Sequence, residues 1–156
     1  MKKTITIWRF IDGKAGHEKQ SIAAINALSK KINCEVCDID LPAKTSFFLA
    51  LLTGKLKKLK NLSKPNLIIG VGHQTHLYVL FAKKYYEGMS ILIMKPSLPT
   101  GWFDLCILPE HDRVWAQKKY SDWVLTSESR IFYTQGPLVD IKERKKNKTG
   151  KSMILI

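Results

Sequence analysis

Acidic residues are the scarce class in this 156-residue chain. Thirteen Asp and Glu stand against 26 Lys and Arg, a formal net charge of +13. That balance disfavours cationic ligands and favours acidic partners: phosphates, anionic lipid headgroups or nucleic acid. Cysteine is scarce as well. Cys34, Cys37 and Cys106 are an odd number with no secretory leader before them, which argues against a disulfide framework and for a reducing compartment. Cys34 and Cys37 have CxxC spacing but lie in a strand-like run, where period two sends the sulfurs to opposite faces, and no second CxxC completes a zinc site. No apolar run approaches the ~20 residues of a membrane span. Met1-Lys2-Lys3 passes straight into a strand without a small-residue cleavage site, so no signal peptide is expected.

What is present is an ordinary globular composition, 45% hydrophobic, in a length of about one domain. An apolar run over Thr4–Trp8 predicts a first strand, and the apolar stripe from His17 to Ile32 a first helix. Cys34–Leu41 reads as a second strand, ended by Pro42. Thr45 to about Asn61 reads as a helical segment in two halves, Phe47–Leu52 apolar all round and Gly54–Lys60 alternating leucine with lysine. Strands follow over Asn66–Val71, Ser90–Met94 and within Trp102–Leu108, with a helix from the Gly72–His76 turn to about Glu87, capped by Gly88. Asp122–Leu125 and Ile131–Thr134 are further short strand candidates. Alternation of this kind predicts an α/β domain with a doubly wound, mainly parallel, Rossmann-like sheet over residues 1–141. Residues 142–151 read as a basic linker and 152–156 as the opening strand of a second domain.

In such a sheet, ligands bind where loops leave the carboxyl ends of strands, and the polar motifs fall at those ends. After the first strand come Asp12, Gly13, Lys14, Gly16 and His17; after the third, Gly72, His73, Gln74, Thr75 and His76. Lys95 and Ser97 follow the fourth, and Glu110, His111 and Asp112 the fifth. A glycine loop between strand and helix aims backbone N–H groups and a positive helix end at one point, so the first loop reads as the floor of a site for an anionic or polyhydroxylated ligand. The alternative is a plain βα turn whose glycines serve backbone geometry only. His73 and His76 have a reading as cap and packing residues, Lys95 as an exposed loop lysine and Asp112 as an N-cap. The basic surroundings oppose a metal at His73, His76 and the Glu110–Asp112 turn, so neither metal nor cofactor is expected.

The runs Phe10-Ile11-Asp12-Gly13-Lys14-Ala15-Gly16-His17-Glu18-Lys19-Gln20, Gly70-Val71-Gly72-His73-Gln74-Thr75-His76, Met94-Lys95-Pro96-Ser97-Leu98-Pro99, Trp102-Phe103-Asp104-Leu105-Cys106 and Pro109-Glu110-His111-Asp112 resemble, in order, the mitochondrial-fission ELM-type (elongated mitochondria) family, which includes bacterial members. Members of that family are about twice this length and are similar in architecture to two-domain GT-B glycosyltransferases, such as lipid-A-disaccharide synthase. The resemblance implies an N-terminal half that takes a sugar or lipid-linked acceptor. The nucleotide sugar would bind the missing second domain, so this piece alone would be inactive. It also implies His17 as a general base on the first glycine loop, with Asp12 beside it.

The second helical segment suits an interfacial helix: Phe47, Phe48, Leu51 and Leu52 would dock on anionic lipid, flanked by Lys55, Lys57, Lys58 and Lys60. The alternative is a core-facing helix with a basic outer face. These features predict a cytoplasmic protein peripheral to the inner face of the membrane. Three functions compete. One is half of a membrane-peripheral glycosyltransferase, and another is a non-catalytic binding or scaffold module of the fission type. The third, a nucleic-acid binder, is disfavoured because the lysines cluster without interleaved aromatics.

Overall fold

The computed structural model of the chain describes residues 4–41, 47–52, 54–113 and 130–140. The expected strand over 122–125, the basic run 142–151 and the apolar end 152–156 lie outside them, as do residues 42–46. Six strands, β1 (Ile5–Ile11), β2 (Cys34–Asp40), β3 (Leu67–Val71), β4 (Met89–Ile93), β5 (Leu105–Pro109) and β6 (Arg130–Thr134), form one sheet in the order β2-β1-β3-β4-β5-β6. Every pairing is parallel, as the alternation predicts. The order reverses between β1 and β3, which makes that junction the topological switch point.

Pleating divides the inward side chains between two layers. Ile7, Ile69, Val71 and Ile93 face α1 (Ala15–Ser29), where Ile25 packs on them. Trp8, Phe10, Ile68, Leu92, Cys106 and Leu108 face the other way, against α2 (Phe47–Leu52) and α3 (His76–Tyr86). The crossover through α1 moves one way along the sheet, and those through α2 and α3 move the other way on the opposite face. That is what a constant crossover hand requires. Cys34 packs in the first layer and Cys37 in the second, the opposite-face placement that period two dictates.

Local structure departs from expectation along β1, at Gly54 and at the end of α3. β1 runs on to Ile11, because Ile7–Phe10 gain ladder partners from both β2 and β3. The segment expected as one helix over 45–61 is broken at Gly54, whose φ is +70°, and continues over Lys55–Asn61 as a 3₁₀ helix. With three residues per turn, Leu56 and Leu59 share the inward face while Lys57, Lys58 and Lys60 stay outside. At the end of α3 the left-handed residue is Glu87, φ 59°, whose N–H bonds the Lys83 carbonyl at 3.0 Å. Gly88 is not that cap; it is crowded against Ile68 and the Pro65 carbonyl.

One charge enters the inner layers. Arg9, 8% exposed, forms a two-point pair with Asp38 of the edge strand, its Nε donating to Oδ1 at 2.7 Å and Nη2 to Oδ2. Removing Asp38 would leave the buried guanidinium uncompensated. Asp38→Ala is therefore expected to destabilise the fold by roughly 3 kcal/mol, the low end for such a deletion because Asp38 itself is half exposed, and Arg9→Met by less than about 1 kcal/mol. Urea denaturation of the two variants checks the order.

Candidate functional site

The exit of β1 builds the centre of the site. Asp12 follows the last residue of β1, and Gly13 takes φ +76°, turning the chain back so that α1 starts at Ala15, two residues earlier than expected. His17 thereby falls in the first turn of α1. Its Nδ1 lies 2.8 Å from Asp12 Oδ2, and the Asp12 side chain is fully buried while that of His17 keeps 18% exposure. Asp12 Oδ1 accepts the Lys14 backbone N–H at 3.2 Å, an Asx turn that fixes the carboxylate. An ionised carboxylate only accepts, so Nδ1 carries the hydrogen and Nε2 is left basic. Lys14 and Gly16 are exposed at the same helix start.

The exit of β3 closes on this pair from the neighbouring strand. Gly72 has φ +80°, and a Cβ built on it would lie 2.3 Å from His17 Cε1 and 2.5 Å from Nδ1. The imidazole rests directly on the Gly72 backbone, a place no side chain could share. Thr75, expected as a ligand contact, is instead fully buried, and its hydroxyl donates to the Gly72 carbonyl at 2.8 Å. It holds the turn from beneath. His73 and Gln74 are the exposed members of that turn.

The exit of β4 reaches both neighbours. Met94 adopts φ +74°, rare for a residue with a side chain, and Gln20 Nε2 of α1 contacts its sulfur at 3.2 Å. Two residues past Lys95, Ser97 Oγ lies 3.0 Å from Nδ1 of His76. His76 is 1% exposed, stacks edge-on to Phe103, and has no partner for Nε2 among the described residues. Burial, with repulsion from His73, pushes its pKa down to about 4. It is therefore a neutral structural histidine that anchors the Ser97 loop. Nothing in the sequence pattern marks the roles of Gln20 and Met94; a left-handed methionine has no compositional signature.

Glu110, His111 and Asp112 stand on the same rim but further along it. β3 and β4 lie between β1 and β5, a lateral distance of about 14 Å at normal strand spacing. The contacts of this turn are local: Glu110 with Arg113 at 2.9 Å, and His111, largely exposed, 4.0 Å from Asp112. Among the described residues no group of three His, Cys, Asp or Glu could hold a metal ion.

On α2 the four residues expected to meet lipid divide. Phe47 turns inward, its ring edge-on to Tyr78 at 5.0 Å and to Phe81 at 6.0 Å. Phe48, Leu51 and Leu52 are exposed at 67%, 45% and 84%, and Leu49 joins them at 50%. No helix among the described residues is long and apolar enough to cross a membrane.

Two outcomes are expected of this geometry. Gly72→Ala drives a methyl into the imidazole, so the His17 ring must leave Asp12; the His17 side-chain NMR resonances should shift while the far-ultraviolet spectrum holds. The second outcome is acid sensitivity from His76. Unfolded, it takes a proton near pH 6.5; folded, only near pH 4. Stability should therefore fall as pH drops through that window, by roughly 3 kcal/mol in total. His76→Gln should lose correspondingly less between pH 6.5 and 4.5 in urea titrations.

Comparison with known proteins gives this arrangement a lineage. An uncharacterized protein of Rickettsia prowazekii (strain Madrid E), RP120, is 31% identical over 119 residues, a stretch that covers 69% of this chain and 32% of the relative. The chain thus spans about a third of the length of that curated relative. No solved structure matches. The family model described as Mitochondrial fission ELM1 matches residues 15–153, from the start of α1 past the last described strand. On that match, the chain belongs to the mitochondrial fission ELM1 family.

Proposed function

We propose that these residues form the acceptor-side domain of a GT-B-like glycosyltransferase, with Asp12 and His17 as its acid–base pair. The observation that carries the reading is the 2.8 Å contact between a fully buried carboxylate and a partly exposed imidazole at the switch point of the sheet. In the proposed step, His17 Nε2 takes the proton of an acceptor hydroxyl as that oxygen bonds to C1 of the donor sugar. The bond from C1 to the nucleotide diphosphate breaks, and the diphosphate leaves with the electron pair. Asp12 holds the imidazole in the tautomer that can do this and stabilises the imidazolium that results. The exposed Lys14 and the N-terminal end of α1 supply positive potential beside it. Gly13 and Gly16 leave backbone open to an approaching sugar: a Cβ at either would meet nothing within 4 Å. His73, Gln74, Lys95 and Ser97 would line the acceptor from the neighbouring loops, and Glu110, His111 and Asp112 its far end. The nucleotide sugar is assigned to a further domain, outside these residues.

The exposed apolar face of α2 favours a peripheral-membrane setting for this chemistry. Phe48, Leu51 and Leu52 would enter the headgroup boundary of an anionic bilayer with Lys57 and Lys58 on its phosphates. The same face, together with the family, also supports a second reading as a docking module without catalysis.

Turnover separates the two. In the longest form of the protein that carries a donor-binding domain, His17→Ala should lower sugar transfer about 10²- to 10⁴-fold, and Asp12→Asn should do so through the wrong tautomer. Absence of turnover in the unmodified protein over a panel of nucleotide sugars, or turnover indifferent to His17→Ala, would refute the acid–base assignment. Phe48→Asp should abolish co-sedimentation with phosphatidylglycerol liposomes; retained binding would remove α2 as the docking face.

A further inference from the structure

The exit of β4 carries a contact that the acid–base pair does not use. Met94 holds φ +74°, a conformation that is costly for a residue with a side chain. Glycine would make the same turn without that cost, but it would bring no sulfur. The sulfur meets Nε2 of Gln20 at 3.2 Å, and Gln20 stands three residues after His17 on α1. A thioether only accepts, so the amino group of the amide must face it and the carbonyl oxygen must face away. That oxygen, Gln20 Oε1, has no hydrogen-bond partner among the described residues. Unlike Nε2 of His76, it is not sealed from solvent. The strained methionine therefore decides which end of the amide is on offer, and that end accepts.

Two independent spacings set this oxygen beside His17. Side chains three apart on a helix share a face, with Cβ atoms about 5–6 Å apart. The residues they touch, Gly72 after β3 and Met94 after β4, follow adjacent strands, which run about 4.8 Å apart. Gln20 thus stands one step along the rim from the imidazole. We propose that Gln20 is a specificity residue of this site, and that its ligand is a sugar or polyol with hydroxyls on neighbouring carbons. One hydroxyl donates to His17 Nε2, and its neighbour donates to Gln20 Oε1. Met94 is a positioning residue that acts through the amide it orients. A fully ionised phosphate offers acceptors only, so it finds no partner in Oε1. That the hydroxyl at His17 is the one that reacts rests on the acceptor reading above; recognition of the hydroxyl pair does not.

Titration of the isotopically labelled chain with the methyl glycosides of glucose, mannose and galactose, their monodeoxy analogues and inorganic phosphate tests it, with NMR detection at the Gln20 side-chain amide and the His17 ring. At least one glycoside should move both sets of resonances, and one of its deoxy analogues should bind about two- to tenfold more weakly. Phosphate should leave the Gln20 amide unmoved. Gln20→Met should weaken the glycoside by the same two- to tenfold and no longer distinguish it from that analogue. Gln20→Glu, whose carboxylate still accepts, should keep the distinction. Met94→Leu bears the same backbone strain but offers no acceptor: the Gln20 amide resonances should shift before any ligand is added, and the distinction should narrow. If Met94→Leu fails to fold, Gln20→Met decides. Glycosides that move no Gln20 resonance, or a Gln20→Met chain that binds glycoside and analogue as the unmodified chain does, would overturn the proposal. A Gln20 amide moved by phosphate would overturn the polarity assigned to it. Turnover indifferent to His17→Ala, beside glycoside binding that still follows Gln20→Met, refutes the base and keeps this assignment, so the two readings fail separately.

Discussion

The contact on which the site depends is the imidazole of His17 lying on the bare backbone of Gly72. It exists because β1 and β3 are neighbours although β2 falls between them in the chain. Adjacent strands run about 4.8 Å apart, close enough for a side chain of one exit loop to touch the backbone of the next. Were β2 inserted between them, the two exits would stand about twice as far apart and the ring would have no floor. The right-handed crossovers that send α1 to one face and α2 and α3 to the other produce this adjacency. The sheet order and the geometry of the histidine are thus one constraint seen at two scales.

Backbone strain is gathered on the same rim. Of the five described residues with positive φ, three, Gly13, Gly72 and Met94, lie just past the carboxyl ends of β1, β3 and β4. Two are glycines, for which the conformation is inexpensive. Met94 has a side chain and costs on the order of 1–3 kcal/mol there. Its compensation is visible: the main chain is pinned by the N–H bond to the Ile107 carbonyl at 2.9 Å, and the sulfur meets Gln20 at 3.2 Å. From that turn the chain is aimed back toward α3, where buried His76 receives Ser97.

Most of the architecture was legible because it follows from burial. The continuous apolar run over 66–71 suits a strand covered on both faces, and Leu67–Val71 is one, buried from Ile68 onward. The sequence set Asp12 and His17 on one glycine loop, and the family resemblance implied His17 as a base; that the two side chains meet is visible only in the structure. What stayed hidden depends on choices of a few degrees or one residue. Leucine–lysine alternation at 56–60 fits a helix of either pitch until Gly54 sets the start. Thr75 looks identical in sequence whether its hydroxyl faces a ligand or the Gly72 carbonyl. Phe47 and Phe48 are adjacent and chemically equal; only the position of Tyr78 and Phe81 beneath the helix decides which of them goes inside.

The charge of the chain acquires a sense of direction from this placement. Lys57, Lys58 and Lys60 lie outside on the 3₁₀ helix that follows α2, whose Phe48 and Leu52 are exposed as well. Asp38 and Asp40 alternate along β2 with Ile39 and Leu41, so their carboxylates stand on the α1 face of the sheet, where Asp38 meets Arg9. An anionic surface that approached the α2 side would therefore meet lysines, while the carboxylates of β2 face the other way. Salt screens attraction between exposed charges over about 10 Å, so the pull of those lysines on any anion weakens as ionic strength rises. Basic and acidic groups are thereby divided between the two faces of the sheet, with Arg9 fixing Asp38 on the α1 side.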